Sequence, residues 1–322
     1  VNILWQRLRL PVPVQWLCGS LDLFHSPDFV LPPTGRVPAL LTVHDLSFLR
    51  VPQFFVRGFR EYLEAAVSRA VKRATHILVD SESTRRDLIE LMAVEGQKIT
   101  VVYPGVETRF RPVRNRDLLE TVRVRYDLPE HFVLGLSTVQ PRKNFLGLIT
   151  AFGRLLAERA EGPEENLSLV IAGGQGWMCD ETLSSAEALG LQRRVFFPGF
   201  VADEDLPALY SLASVFAFPS WYEGFGLPVL EAMACGTPVV AADNSSLPEV
   251  VGDAGLMVDA GDSAALSTAM NRLLTNAELR ESIIQAGLRQ ARRFAWSAAA
   301  AKTVEAYEAH ARQPRRRGQE QS

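Results

Sequence analysis

From Leu21 onward the chain alternates short apolar runs of four to six residues with longer stretches of helical periodicity. That rhythm demands strands buried on both faces, and therefore a parallel sheet with helices packed over it. Runs at Leu21–Phe24, Ala39–Val43, His76–Val79 and Ile99–Val102 are the expected strands of a first unit. Helices are expected over Phe59–Arg73 and Thr84–Met92, with Ser83 as the cap of the second. The charged segment Glu107–Leu128, broken by Pro112 and Pro129, is expected to join two units. The rhythm then restarts. Strands are expected at Phe132–Leu136, Leu167–Ile171, Val195–Phe197, Val215–Phe218 and Val239–Ala241. Helices are expected at Asn144–Leu156, Asp205–Ala213, Pro228–Cys235, Ala264–Leu274 and Glu278–Arg292.

The expectation is thus an α/β chain of two Rossmann-like domains with a working cleft between them. The domains are placed at 1–125 and 126–296, followed by a C-terminal helix over 297–312 and a polar tail over 313–322. Val1 to Gly19 supplies no clear opening strand and helix, and the first unit shows about four strands. The first domain is therefore expected to be incomplete at its start.

Composition narrows the function classes. With 34 basic and 37 acidic residues the net charge is -3, so no single-sign surface is offered to nucleic acid. The basic cluster Arg312–Arg317 reads as a solvated end. Three widely spaced cysteines, Cys18, Cys179 and Cys235, argue against a disulfide framework. No apolar run approaches the ~20 residues of a spanning helix. A cytoplasmic protein is expected, with peripheral contact at the inner face of the membrane left open. Oligomeric state is not legible.

Two constellations look chemical. The first is Trp221-Tyr222-Glu223-Gly224-Phe225-Gly226-Leu227-Pro228, continuing through Glu231. Glu223 falls just past an apolar strand, where α/β sheets place ligands. Gly224 and Gly226 bare the backbone N–H groups around Phe225 and Leu227, and the following helix aims its positive end at the same place. Glu231, eight positions on, lies near the start of that helix, so both carboxylates are expected to accept hydroxyls from one ligand. The second is Arg142-Lys143-Asn144, after the strand Phe132–Leu136. A guanidinium fork and an ammonium there can neutralise a diphosphate, whereas Asn144 reads as a helix cap.

His44-Asp45 follows the strand Ala39–Val43, with Asp45 expected to orient the imidazole or cap local backbone; His25 is a weaker version of this signal. Gly173-Gly174-Gln175-Gly176 is no dinucleotide fingerprint but permits close backbone approach. Asp203-Glu204-Asp205 contains an Asp-x-Asp pair, yet its place before a helix reads as cap and dipole partner. No zinc spacing is present in the sequence and no metal is expected.

With Glu223 and Glu231 at E-x7-E spacing inside Glu-Gly-Phe-Gly-Leu-Pro, the chain resembles the retaining, GT-B-fold glycosyltransferases of family 4, the "glycosyl transferases group 1" family. Arg142-Lys143-Asn144, Thr42-Val43-His44-Asp45, Val102-Tyr103-Pro104-Gly105-Val106 and Ser245-Ser246-Leu247-Pro248-Glu249-Val250 fit as well. Its look is nearest to bacterial mannosyltransferase-like members that build polysaccharides.

The resemblance implies a metal-independent hexosyltransferase without cofactor. Its donor would be a GDP-, UDP- or ADP-linked sugar, and its acceptor a carbohydrate, lipid-linked or small molecule. It implies Glu231 on the ribose, Glu223 on the donor sugar, Arg142 and Lys143 on the leaving diphosphate, and His44 near the anomeric centre. Gly173 and Gly174 would lie with the donor, Asp45 and Gly105 along the cleft, and the last helix would cross back onto the first domain. Family members open with a strand and glycine-rich loop that this chain lacks. Three alternatives remain: a non-catalytic nucleotide-sugar-binding protein or fragment, an epimerase or phosphorylase of the same fold, and a nicotinamide oxidoreductase, which the absent dinucleotide fingerprint disfavours.

Overall fold

A computed structural model describes residues 12–159 and 166–311. The chain forms two compact units, Val1–Tyr103 with Ser297–Ser322, and Pro104–Trp296. The division falls at Tyr103/Pro104 rather than at 125/126, because the segment read as a linker contains a helix that belongs to the second unit. The basic cluster Arg312–Arg317 and the polar tail lie outside the described residues.

The first unit begins with helix α1 (Gln15–Cys18) and strands β1 (Phe24–Ser26) and β2 (Ala39–Val43). Helices α2 (Ser47–Arg50) and α3 (Arg57–Arg73) follow, then β3 (His76–Val79), α4 (Glu82–Met92) and β4 (Ile99–Val101). The strands form one parallel sheet in the order β1-β2-β3-β4. Strand β1 starts three residues later than expected. The cap of α4 is Ser81 rather than Ser83: its hydroxyl accepts the Thr84 N–H at 3.0 Å, so the helix starts earlier than its periodicity suggested.

Alternation along β2 and β3 divides the core. Leu41, Val43, Ile77 and Val79 face α3 and α4 through Leu63, Val67 and Leu88. Leu40 and Leu78 face the other way, against Ala306 and Tyr307. Those two residues belong to the last helix (Trp296–His310), most of which lies in the first unit. Its Lys302 Nζ donates to the Val101 carbonyl, and its His310 ring stacks on His76 at 4.2 Å.

The second unit runs α5 (Arg116–Arg125), β5 (His131–Leu136), α6 (Phe145–Glu158), β6 (Leu167–Ala172), α7 (Asp180–Ala188) and β7 (Val195–Gly199). It continues with α8 (Leu206–Leu212), β8 (Val215–Phe218), α9 (Leu227–Ala234), β9 (Val239–Ala242), α10 (Leu247–Val251) and β10 (Leu256–Val258). Helices α11 (Ser263–Thr275) and α12 (Ala277–Ala291) close it, before α13 (Trp296–His310).

All six strands of this unit are parallel, in the order β10-β9-β8-β5-β6-β7. The chain builds outward from β5 to β7, then returns to the other side of β5 and builds outward again. The order therefore reverses between β5 and β8, and a crevice must open past their carboxyl ends. Helix α6 seals one face of the sheet with Phe145, Leu148, Ile149, Phe152 and Leu155, all fully buried. Each is worth about 1.5–3 kcal/mol as apolar surface removed from water. Among the described residues no helix is long and apolar enough to cross a membrane.

Candidate active site

The loops leaving β5 and β8 meet at this reversal. The Trp221 N–H donates to the Arg142 carbonyl at 2.9 Å, and Arg142 Nη1 returns a hydrogen bond to the Tyr222 carbonyl. Asn144 does not cap α6, contrary to the expectation. Its own backbone is left-handed, and its side-chain amide donates to the Pro219 and Ala260 carbonyls at 3.0 and 2.7 Å, tying the two loops together. From the other side Ser245 Oγ accepts the Glu223 N–H, while Ser246 Oγ donates to the Glu223 and Phe225 carbonyls.

This frame holds three charges. Lys143 Nζ donates to Glu223 Oε1 at 2.7 Å, and Arg142 Nη1 to Oε2 at 3.2 Å. Lys143 is only 8% exposed and Glu223 only 7%. Charges so deeply buried persist only when paired. Burial alone would raise the Glu223 carboxyl, but Lys143 and Arg142 hold it below its ordinary range. The three side chains thus carry one net positive charge in a buried, low-dielectric setting, in which an anion is strongly attracted. Sequence reading assigned the basic pair and Glu223 to different parts of a ligand; the structure brings them into mutual contact.

Past Glu223 the chain turns through Gly224 and Phe225 to Gly226, whose φ of 110° starts α9. Phe225 is buried edge-on against Phe294, whereas Leu227 is partly exposed. Glu231 lies one turn into α9, with a different hydrogen-bond partner from those of Glu223. Its Oε2 accepts from the Tyr210 hydroxyl at 2.8 Å. Burial pushes its carboxyl up to about 7, opposed by the Tyr210 hydrogen bond and by Arg109, and assisted by Glu107 and Asp203. The two carboxylates thus stand in different settings, Glu223 held ionised by cations and Glu231 poised near neutrality.

In the first unit His44 follows β2 and Asp80 follows β3. Nδ1 of His44 lies 2.7 Å from Asp80 Oδ2, and Nε2 lies 3.0 Å from the Pro27 carbonyl. Both ring nitrogens thus face acceptors, which suits an imidazolium. The hydrogen bond to Asp80 raises the ring to about 9, against the effect of burial. Asp45 does not orient this ring; its Oδ1 accepts from the Ser47 N–H and hydroxyl at the start of α2. Asp80 escaped sequence reading, because only pairing across the sheet brings it to His44. Val43 pairs with Val79 in register, so the residues that follow them emerge side by side. His25 is structural, bonded to Tyr307 and Thr42, and burial lowers its pKa.

Other expectations are corrected by packing. A Cβ on Gly173, where φ is 132°, would lie 2.0 Å from the Ser137 carbonyl oxygen; that glycine lets the β6 loop pack on the β5 loop. Gly174 meets nothing within 4 Å and remains the open member of the pair. Gly105 is set against backbone of its own unit: a Cβ there would lie 2.1 Å from the Trp296 nitrogen. Asp205 does not cap α8; it accepts from Arg125 at 2.6 Å and from the Tyr126 hydroxyl at 2.7 Å, binding α5 to α8. Asp203 is exposed, and among the described residues no group of three or more His, Cys, Asp or Glu could hold a metal ion. All three cysteines are free, and burial pushes the Cys235 thiol up to about 12.

Comparison with known proteins identifies the family and the fold. Residues 123–290 match the family model of glycosyl transferases group 1, and residues 4–110 that of glycosyltransferase family 4. The chain is 35% identical over 288 residues to O-antigen chain mannosyltransferase B of Escherichia coli, covering 88% of this chain and 74% of that protein. It is 30% identical over 290 residues to the serotype-specific mannosyltransferase WbdA of Escherichia coli, covering 88% of this chain and 35% of that protein. It thus spans about three quarters of the first relative and about a third of the second. Among solved structures, Anabaena HepE in complex with UDP and glucose superposes with a TM-score of 0.77 at 23% identity, covering 95% of this chain and 82% of that one. With two parallel-sheet α/β domains and both family matches, the chain belongs to the group 1, family 4 glycosyltransferases of GT-B fold.

Proposed function

We propose that the chain transfers a hexose, mannose before others, from a nucleoside-diphosphate sugar to a hydroxyl of a glycan, lipid or small-molecule acceptor, retaining the anomeric configuration. The observation that carries this reading is the pair Arg142 and Lys143 buried beside Glu223 where the strand order reverses. The names of the two Escherichia coli relatives favour mannose, and that of the first, an O-antigen chain mannosyltransferase, favours a glycan acceptor.

When the bond from the anomeric carbon to the phosphate oxygen breaks, its electron pair leaves with the diphosphate and positive charge develops on the sugar. Arg142 and Lys143 meet the departing charge, with help from backbone around Gly224, Phe225, Gly226 and Leu227. Fixed donors of this kind act chiefly on the transition state, and losing one costs about 3 kcal/mol. Without ligand, Glu223 pairs with both cations and offsets one of their two charges. An arriving diphosphate exchanges with that carboxylate and frees it for donor-sugar hydroxyls. Glu223 is held ionised, so it suits a hydroxyl acceptor better than a glycosidase-type acid. Glu231 takes the ribose hydroxyls, and the His44 imidazolium donates to the hexose near the anomeric carbon. Retention then follows from attack on the face the phosphate leaves, with a phosphate oxygen taking the acceptor proton. No step uses a metal or a cofactor. A cytoplasmic site of action, with peripheral contact at the membrane's inner face, suits such a donor.

The test is incubation with GDP-, UDP- and ADP-hexoses and a panel of glycan and lipid-linked acceptors, the products being identified by mass and by anomeric carbon–proton coupling. An α-linked product from an α-linked donor is expected. A β-linked product would contradict retention, and an epimer, a sugar 1-phosphate or binding without turnover would support the rival readings.

A further inference from the structure

Tyr210 is the largest fully buried side chain among the described residues, and the transfer chemistry makes no use of it. Its ring is packed edge-on between Phe216 at 5.5 Å and Phe110 at 6.1 Å. Its carbonyl accepts from the Thr237 hydroxyl at 2.7 Å, at the exit of α9. The same helix α8 is held through Asp205 to Arg125 and Tyr126, and through Ser211 to the Val113 N–H. The phenol is therefore fixed on several sides, and it donates to one oxygen of a carboxylate that is itself only partly buried.

Such a pair is a poor device for stability alone, since apolar side chains of the same shape hold a core as well or better. It is a good device for fixing a carboxylate's rotamer while leaving the second oxygen for a ligand. We propose that Tyr210 is a positioning residue for nucleoside recognition: by holding Glu231 Oε2 it presents the remaining oxygen of Glu231 to the vicinal hydroxyls of a ribose. This rests on the reading of Glu231 as the ribose contact. The groups that act on Glu231 are Tyr210 from α8, Cys235 at the end of α9, Arg109 and Glu107 from the segment before α5, and Asp203 before α8. Tyr210 acts on it by a direct hydrogen bond, Arg109, Glu107 and Asp203 by charge. Because the Tyr210 bond favours the ionised form, it also sets the pH at which the ribose contact is lost.

The experiment is calorimetric binding of GDP-mannose and its 2′-deoxy counterpart, with UDP-glucose and its 2′-deoxy counterpart in parallel, to the parent and to Tyr210→Phe. The parent should prefer the ribonucleotide. In Tyr210→Phe that preference should shrink by about three- to tenfold, with deoxynucleotide affinity unchanged. The pH midpoint for ribonucleotide binding should also rise. A purely structural role would weaken both ligands equally. A variant that keeps the full preference overturns the proposal while leaving Glu231 on the ribose. A parent that shows no preference overturns the Glu231 reading, and this proposal with it. If Tyr210→Phe does not fold, replacing all tyrosines by 3-fluorotyrosine keeps every ring and strengthens the donor. The pH midpoint should then fall, and an unchanged midpoint would contradict the proposal.

Discussion

Replacing Lys143 by alanine removes one of two cations from a buried carboxylate, and the cost follows from what its ammonium touches. The bond from Nζ to Glu223 at 2.7 Å is charge-assisted and worth about 1.5–3 kcal/mol. Nζ also stands 5.4 Å from the Phe218 ring centre, a cation–π contact worth about 0.5–1 kcal/mol. Glu223 keeps Arg142 at 3.2 Å, so the full penalty of an orphaned buried charge, about 3–5 kcal/mol, is not reached. A loss of about 2–4 kcal/mol remains, which for a unit of this size lowers Tm by about 5–15 °C. The assay is a double-mutant cycle with Lys143→Ala and Glu223→Ala, read by urea and thermal unfolding. Lys143 without Glu223 is a buried cation that has lost its charge-assisted bond to the carboxylate, so the double variant should lose less than the two singles combined, by at least about 1.5 kcal/mol. Nucleoside diphosphate should also stabilise Glu223→Ala more than it stabilises the parent, because it fills the place of the missing anion. Additive losses, within about 0.5 kcal/mol, would refute the reasoning.

Three further outcomes are expected. Affinity for a nucleotide sugar should rise with pH through about 7 as Glu231 ionises, and Glu231→Gln should abolish that dependence in calorimetric titrations. His44 titrates at about 9 beside Asp80, so its folded-state pKa is raised; its contribution is complete below about 6.5 and is lost as pH rises through 9. Asp80→Asn should therefore move the alkaline fall in turnover toward neutral pH, and an unmoved limb in the pH–rate profile would contradict the dyad. Gly105→Ala forces a methyl to within 2.1 Å of the Trp296 nitrogen, which only backbone movement can relieve; a Tm lowered by at least about 5 °C in calorimetry is expected.

Much of this was legible because period and punctuation are local. The strands Ala39–Val43, His76–Val79 and Val215–Phe218 stand where their apolar runs do, and the glycine-linked glutamate lies just past a strand as its flanking residues indicate. What was not legible depends on pairing across the sheet. Nothing in the run of letters places β8 beside β5, so the joining of Lys143 to Glu223 over 80 positions was invisible. The same holds for His44 with Asp80 and for Tyr210 with Glu231. Helix α5 was missed because Glu107–Leu128 buries little apolar surface; Val122 is the only fully buried side chain of α5 itself. Asn144, Asp205 and Ser83 were read as caps from their place before helices, and in each case a tertiary partner or a neighbouring serine took the role.

The most direct test of sugar transfer is acceptor-dependent release of nucleoside diphosphate from GDP-mannose, followed in the parent and in Arg142→Ala and Lys143→Ala. Release that requires acceptor, equals the product formed mole for mole and falls about a hundredfold in each variant is expected. Stoichiometric transfer at parental rates in both variants would contradict the assignment of the leaving-group site, and absence of any acceptor-dependent release across all donors would contradict transfer itself.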